Sequence, residues 1–241
     1  MKHLVGFHAV TSRLRQKPDT VRGIYIDAER NDGRARDLRE LAKRSNVRLF
    51  AVDAKRLDGM APGERHQGVV AEAEPLEMPK FVEDVLEGLE EPALFLILDG
   101  VQDPHNLGAC LRVADGAGAH AVIAPKDRSV GLTTAAIKVA SGAAESVPYI
   151  VVTNLARAMR DLKDKGVWLI GADDSAAESI YRAKLDGPIA LVLGAEGEGL
   201  RRLTKESCDL LVSIPMLGAV ASLNVSVAAG ICLYEARRRR L

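Results

Sequence analysis

No apolar run in this 241-residue chain approaches the roughly 20 residues that a membrane-spanning helix needs. The first residues, Met1-Lys-His-Leu-Val-Gly-Phe-His, hold too few apolar side chains for a secretion signal, so a cytoplasmic location is expected. Cysteine is scarce. Cys110, Cys208 and Cys232 are odd in number, far apart and without paired spacing, which indicates neither a disulfide framework nor a zinc site; they read as small core residues. His3, His8, His66, His105 and His120 also lack ligand spacing, and no metal is expected. There is no internal repeat and no low-complexity tract. Net charge is absent too, with 33 basic against 33 acidic residues, which at first argues against a nucleic-acid partner.

The distribution of charge argues otherwise. Residues 1–73 carry fifteen Lys/Arg and ten Asp/Glu, residues 74–91 carry one and seven, and residues 92–241 carry seventeen and sixteen. A basic N-terminal piece, an acidic connector and a neutral remainder suit a division of labour in which the first piece meets a polyanion; a solvated charged surface is the alternative. A hydrophobic content of 47% is ample for a packed core.

Within the first piece, Gly23–Asp27, Val47–Val52 and Val69–Ala73 read as strands and Arg34–Ser45 as a helix, with a Gly/Pro-bearing loop over 58–68. Residues 74–92, with three prolines and an acidic middle, read as a linker, part of it helical. Beyond it come continuous apolar runs at 94–98, 121–124, 147–152, 167–170, 189–193 and 210–214. Helices are predicted between and after them at 107–116, 133–141, 155–165, 200–206 and 222–239. Strands without alternation are covered on both faces, so the pattern predicts an α/β fold with a mostly parallel, doubly wound sheet. Ligands of such sheets sit beyond the carboxyl ends of the strands.

Three segments fall there. In the first, Asp103-Pro-His-Asn is a turn whose Asn106 is expected to cap a helix from Leu107, and Arg112 lies among apolar neighbours, either snorkelling or aimed at an anion such as a phosphate. The second, Gly194-Ala-Glu-Gly-Glu-Gly, follows a strand and opens a helix. It lacks the dinucleotide fingerprint, which would need glycine at Arg202, and has no Lys-Ser/Thr phosphate-loop ending. A flexible turn remains, with exposed backbone N–H groups and Glu196. The third sets Ser222 and Asn224 in an otherwise apolar stretch, where an unpartnered polar side chain is costly. The terminal Arg237–Arg240 run reads as a solvated tail complementing a helix dipole.

Taken together and in this order, these segments resemble the three motifs of the SpoU/TrmH family of RNA ribose 2′-O-methyltransferases, in the SPOUT superfamily. Asp103, Pro104, Asn106, Gly108 and Arg112 match the first motif, Gly194, Glu196 and Gly199 the second, and Ser222 to Ser226 the third, with Ala221 where the family often has another serine. Gly6-Phe-His-Ala-Val and His66-Gln-Gly extend the resemblance to the branch that methylates guanosine in bacterial large-subunit ribosomal RNA. The resemblance implies S-adenosylmethionine bound within a deep C-terminal trefoil knot, with contacts largely from the backbone of Gly194, Ile214, Met216 and Leu223. It further implies a homodimer packed through the knotted region and a small L30e-like RNA-binding domain at 1–73, a linker at 74–91 and a catalytic domain at 92–241. Catalytic roles would fall to Arg112, Asn106, Glu196, Ser222 and Asn224, with Arg112 clamping a substrate phosphate. The same chemistry on transfer RNA or another ribosomal site, and a non-catalytic ribosome-assembly factor, are the competing expectations.

Overall fold

The structure, a computed structural model, describes residues 1–75, 77–195 and 197–241. It divides into two compact units, 1–78 with 141–146, and 79–140 with 147–241.

The first unit is built from β1 (Lys2–Val5), α1 (Phe7–Gln16), β2 (Val21–Asp27), α2 (Gly33–Arg44), β3 (Leu49–Val52), α3 (Ala54–Met60) and β4 (Val69–Ala73). The strands form one sheet in the order β1-β4-β2-β3. β4 runs antiparallel to β1 and β2, and β2 runs parallel to β3. The two-residue period of a strand sends Ile24, Ile26, Val69, Ala71 and Ala73 into a core with Val10 and Leu14 of α1 and Ala35, Leu38 and Ala42 of α2. The intervening Tyr25 and Val70 meet Leu57 and Ala61 on the other face, which α3 covers. Asp32 and Asp53 cap α2 and α3 by accepting from the backbone N–H groups of Ala35 and Arg56. The buried guanidinium of Arg13 donates to the Glu74 carbonyl at 2.8 Å and to Glu145 Oε2 at 2.6 Å. β1, α1 and α3 go beyond the elements expected from sequence, and α3 takes the start of the segment expected as a loop.

The second unit comprises α4 (Val82–Glu87), β5 (Leu94–Asp99), α5 (Pro104–Gly116), β6 (Ala121–Pro125), α6 (Thr134–Ala140), β7 (Tyr149–Val152), α7 (Leu155–Asp164), β8 (Trp168–Ala172), β9 (Glu178–Ser179), β10 (Ile189–Gly194), α8 (Arg202–Ser207), β11 (Leu210–Ser213) and α9 (Val225–Arg240). Its seven strands take the order β7-β6-β5-β10-β8-β11-β9, and every described pair is parallel. All six apolar runs are strands. Each residue of β5 is buried, as a strand covered on both faces requires. Val82 and Val85 of α4, within the segment expected as a linker, join the core around Phe95, Ile97 and Met159.

Two placements matter for the site. β10 enters between β5 and β8, so Gly194 pairs with Asp99 at the carboxyl ends of neighbouring strands. Of the terminal arginines, expected as a solvated tail, Arg238 and Arg239 are exposed, but Arg237 and Arg240 are not free in solvent. Arg237 Nε donates to the Ala117 carbonyl at 2.8 Å, and Arg240 Nη2 donates to the carbonyls of Ala93 and Gly187 at 2.9 and 2.6 Å. Residues three apart on a helix share a face, and this pair satisfies carbonyls at the ends of other elements.

Candidate active site

Because β8, β10 and β11 run parallel, the segments leaving their carboxyl ends open on one side of the sheet. They enclose a cleft of about 440 Å³ lined by Asp173 and Asp174 after β8, Gly194 to Leu200 after β10 with Glu196 outside the described residues, and Ile214, Met216, Ser222 and Leu223 after β11. All four residues expected to meet a cofactor, Gly194, Ile214, Met216 and Leu223, therefore face one space, together with Ser222.

The loop after β10 explains its glycines. It doubles back so that Ala195 bridges Gly199, and a Cβ at Gly194 would lie 2.0 Å from the Gly199 carbonyl carbon. Gly197 and Gly199 have φ of 81° and 67°, the left-handed region that glycine occupies without a steric cost. The end of the loop is held by Asp99, a fully buried carboxylate. Its Oδ2 accepts from the Arg201 backbone N–H at 3.1 Å and its Oδ1 from Arg201 Nε at 2.6 Å, with Arg201 Nη2 also in contact. Lys205 Nζ stands 2.6 Å from Asp173 Oδ2 on the cleft wall. Burial alone would raise the Asp173 carboxyl pKa, but hydrogen bonds from Lys205 and Ser175 outweigh it and hold the group below the usual carboxylate range.

The first segment differs from expectation in its cap. Asp103, not Asn106, caps α5, accepting from the His105 N–H at 2.9 Å, with Pro104 in the first turn. Asn106 is thereby inside the helix, and its Oδ1 accepts from Asn224 Nδ2 at 2.9 Å. Asn224 is itself the cap of α9, its Oδ1 taking the Ser226 N–H at 2.9 Å and the Ser226 hydroxyl at 2.6 Å. Helix α9 thus begins at Val225 rather than Ser222. Ser222 is exposed and Asn224 half-buried, so only Asn224 behaves as a partnered polar group in an apolar segment. Gly108 serves packing: a Cβ there would come within 2.5 Å of the Ala136 carbonyl oxygen of α6. Arg112 is exposed on α5, outside the cleft-lining set along with Asn106 and Asn224.

Sequence reasoning gave no role to Asp99, Arg201, Asp173 or Lys205. The signal for the two acids was present: each ends or directly follows an apolar strand, at the point where the sheet opens. Cys110, Cys208 and Cys232 are free thiols pushed up to about 12 by burial. Among the described residues no group of three or more His, Cys, Asp or Glu is placed to hold a metal ion, and no helix is long and apolar enough to cross a membrane.

The cleft volume suits a small-molecule site. Leu200, Ile214, Met216 and Leu223 offer apolar walls for a flat heterocycle, and Asp174 and Glu198 offer carboxylates for a cationic group. A cofactor with an aromatic base and positive charge fits that donor set.

Comparison with known proteins extends this geometry. Residues 93–234 match the SpoU rRNA Methylase family, and residues 3–79 match the RNA 2′-O ribose methyltransferase substrate-binding family. The chain is 61% identical to the 23S rRNA (guanosine-2′-O-)-methyltransferase RlmB of Ralstonia nicotianae, over 99% of this chain and 96% of that one. It superimposes with a TM-score of 0.71 and 25% identity on the SpoU methyltransferase AviRb from Streptomyces viridochromogenes in complex with AdoMet, covering 99% of this chain and 90% of that one. The A. aeolicus TrmH/SpoU tRNA modifying enzyme matches 66% of this chain and 81% of its own, with a TM-score of 0.56 and 28% identity.

Proposed function

The chain belongs to the SpoU rRNA methylase family, and on that premise we propose that it uses S-adenosylmethionine to methylate the 2′-oxygen of a guanosine ribose in large-subunit ribosomal RNA. The observation that carries this reading is the resemblance over both units at once: the ribosomal RNA enzyme matches 99% of the chain, whereas the transfer RNA enzyme leaves a third of it unmatched. When bound, S-adenosylmethionine supplies an electrophilic methyl group on a positively charged sulfur. Residues Gly194, Ile214, Met216 and Leu223 would hold it, the first by allowing the loop to close and the others as apolar walls.

The protein's own contribution is positioning and charge. Arg112 carries a guanidinium, a donor-only group whose role is that of a fixed charge and hydrogen-bond fork rather than a general base. It clamps the phosphate beside the target ribose and stabilises negative charge growing on the 2′-oxygen, whose proton is released to solvent water as the oxygen takes the methyl group. Its exposure on α5 suits a partner that arrives from solvent. Asn106 orients the ribose, with its own carbonyl oxygen fixed by Asn224. Ser222 and Asn224 hold the loop and the substrate, and the role of orienting the ribose beside Asn106 falls to Glu196, which lies outside the described residues. Holding the ribose hydroxyl in place is this chain's other contribution, since orientation can supply about 7–11 kcal/mol of such a barrier.

The same reading includes three finer statements. The domains are an L30e-like RNA-binding domain at 1–73 and a catalytic domain at 92–241, joined by the segment 74–91 expected as a linker, whose helix α4 packs into the core of the second unit. The C-terminal segment after β11 is threaded as a deep trefoil knot, and two copies pair through it. The enzyme works in the cytoplasm, where its RNA is made.

The test is transfer of labelled methyl from S-adenosylmethionine to unmodified ribosomal RNA by wild type and by Arg112→Ala. Wild type should transfer label and the variant should not, while cofactor affinity measured by calorimetry stays at the wild-type value. Joint loss of transfer and cofactor binding would make Arg112 a structural residue and overturn the mechanism.

A further inference from the structure

The first unit carries an aromatic surface that its core does not use. Sheet order leaves β3 at an edge, and α3 is only seven residues long, so the face it covers stays open toward one end. Tyr25 of β2 and Phe50 of β3 are register partners on that face. Their rings stack with centroids 5.2 Å apart and 23° between planes. A Cβ at Gly23 would come within 3.2 Å of the Phe50 ring, so the ring edge rests close against the neighbouring strand at a position that carries no side chain. Phe50 is 41% exposed.

The surroundings fix the pair and add charge beside it. Tyr25 donates its hydroxyl to Glu72 Oε2 at 3.1 Å, and His3 Nε2 faces the other oxygen of that carboxylate at 3.8 Å. The guanidinium carbon of Arg56 sits 5.6 Å from the Tyr25 ring centroid. Arg56 and Lys55 line an open cleft with Val52, two residues along the strand from Phe50, and with Asp53. Isolated exposed apolar side chains need no explanation. This chain, however, has only nine Phe, Tyr and Trp residues, and two of them are stacked on a surface within its most basic segment.

Flat aromatic rings on an open sheet face, with arginine at the rim, match what an unpaired nucleobase and its phosphate require. We propose that Phe50, backed by Tyr25 and flanked by Lys55 and Arg56, is a stacking platform for an unpaired base of the RNA substrate. The proposal rests on the RNA-methyltransferase reading above and deepens it by naming where the first unit grips RNA. The ligand is single-stranded, because a base inside a duplex has no free face to offer.

The test measures binding of a short single-stranded RNA of mixed sequence, and of the same sequence as a duplex, by fluorescence anisotropy. Phe50→Ala should weaken single-strand binding by about 5- to 150-fold, the range for losing one stacked base. Phe50→Trp should restore it, and in a Trp168→Phe background its emission should be quenched by the RNA. Circular dichroism of each variant controls for folding. Wild-type affinity in Phe50→Ala, equal rescue by Phe50→Leu, or an equal loss on duplex would overturn the platform. So would a change in sedimentation without a change in RNA affinity, which would make the face a protein contact. Because binding is read without turnover, RNA bound but never methylated by wild type would instead count against the transferase reading.

Discussion

Asn224 Nδ2 donates to Asn106 Oδ1 at 2.9 Å across 118 residues of sequence, joining the start of α5 to the start of α9. The same Asn224 caps α9 through its own Oδ1, so one side chain anchors a helix and orients a second amide. The two duties separate by substitution. Asn224→Asp keeps an acceptor for the Ser226 N–H but loses the donor to Asn106. Asn224→Ala loses both and should cost about 0.5–2 kcal/mol of stability, the range for a helix cap. Thermal melting should therefore find Asn224→Asp close to wild type and Asn224→Ala lower, while methyl transfer falls sharply in both.

Asp99 and Arg201 make the second connection, between β5 and the loop that closes on the cleft. Arg201→Met leaves the buried Asp99 carboxylate with the backbone N–H alone. Urea unfolding should show a loss of about 2–3 kcal/mol, because an under-compensated buried charge costs more than the pair contributes. Calorimetry should show weaker S-adenosylmethionine binding as the loop loses its anchor. Asp99→Asn paired with Arg201→Met should recover part of the stability, since the stranded charge is then gone.

Glycine has opposite meanings at two motif positions. At Gly194 a methyl would collide with the backbone of Gly199 and Leu200 within the cleft loop. Gly194→Ala should therefore abolish cofactor binding and also lower the melting temperature, because moving the loop pulls on Leu200 in the core and on the Asp99–Arg201 anchor. At Gly108 the collision is with α6, and Gly108→Ala should cost about 1–3 kcal/mol, the range for overpacking. Parallel melting and cofactor titrations of the two variants distinguish the roles.

Glu235 makes stability depend on pH. Hydrogen bonds from Arg238 and then Arg239, outweighing burial, hold its carboxyl down to about 2. A folded-state value below the unfolded one, about 4.3, gives stabilisation that is complete above the unfolded value and is lost as pH falls through about 2. Denaturation of wild type and Glu235→Gln should show a gap that is constant near neutrality and closes between those limits.

Much of this was legible in the chain. The six apolar runs are strands because a parallel sheet buried on both faces needs no polar alternation. Their spatial order was not legible. The entry of β10 between β5 and β8 depends on pairings that periodicity does not encode, and it is what sets Gly194 beside Asp99. A helical part was expected within 74–92 and α4 is it, but its burial was masked by its acidic residues and flanking prolines, although Val82 and Val85 keep the spacing of a buried face. The cap of α5 was readable in Asp103-Pro104, a pairing typical of a helix start. Arg237 and Arg240 misled because composition cannot tell a solvated guanidinium from one that binds backbone carbonyls.

The most direct measurement is nucleoside analysis by mass spectrometry of large-subunit ribosomal RNA after incubation with the enzyme and labelled S-adenosylmethionine. The account predicts label in 2′-O-methylguanosine and in no other nucleoside. Label on a base, or no label in any nucleoside from an enzyme that binds the cofactor, would contradict it.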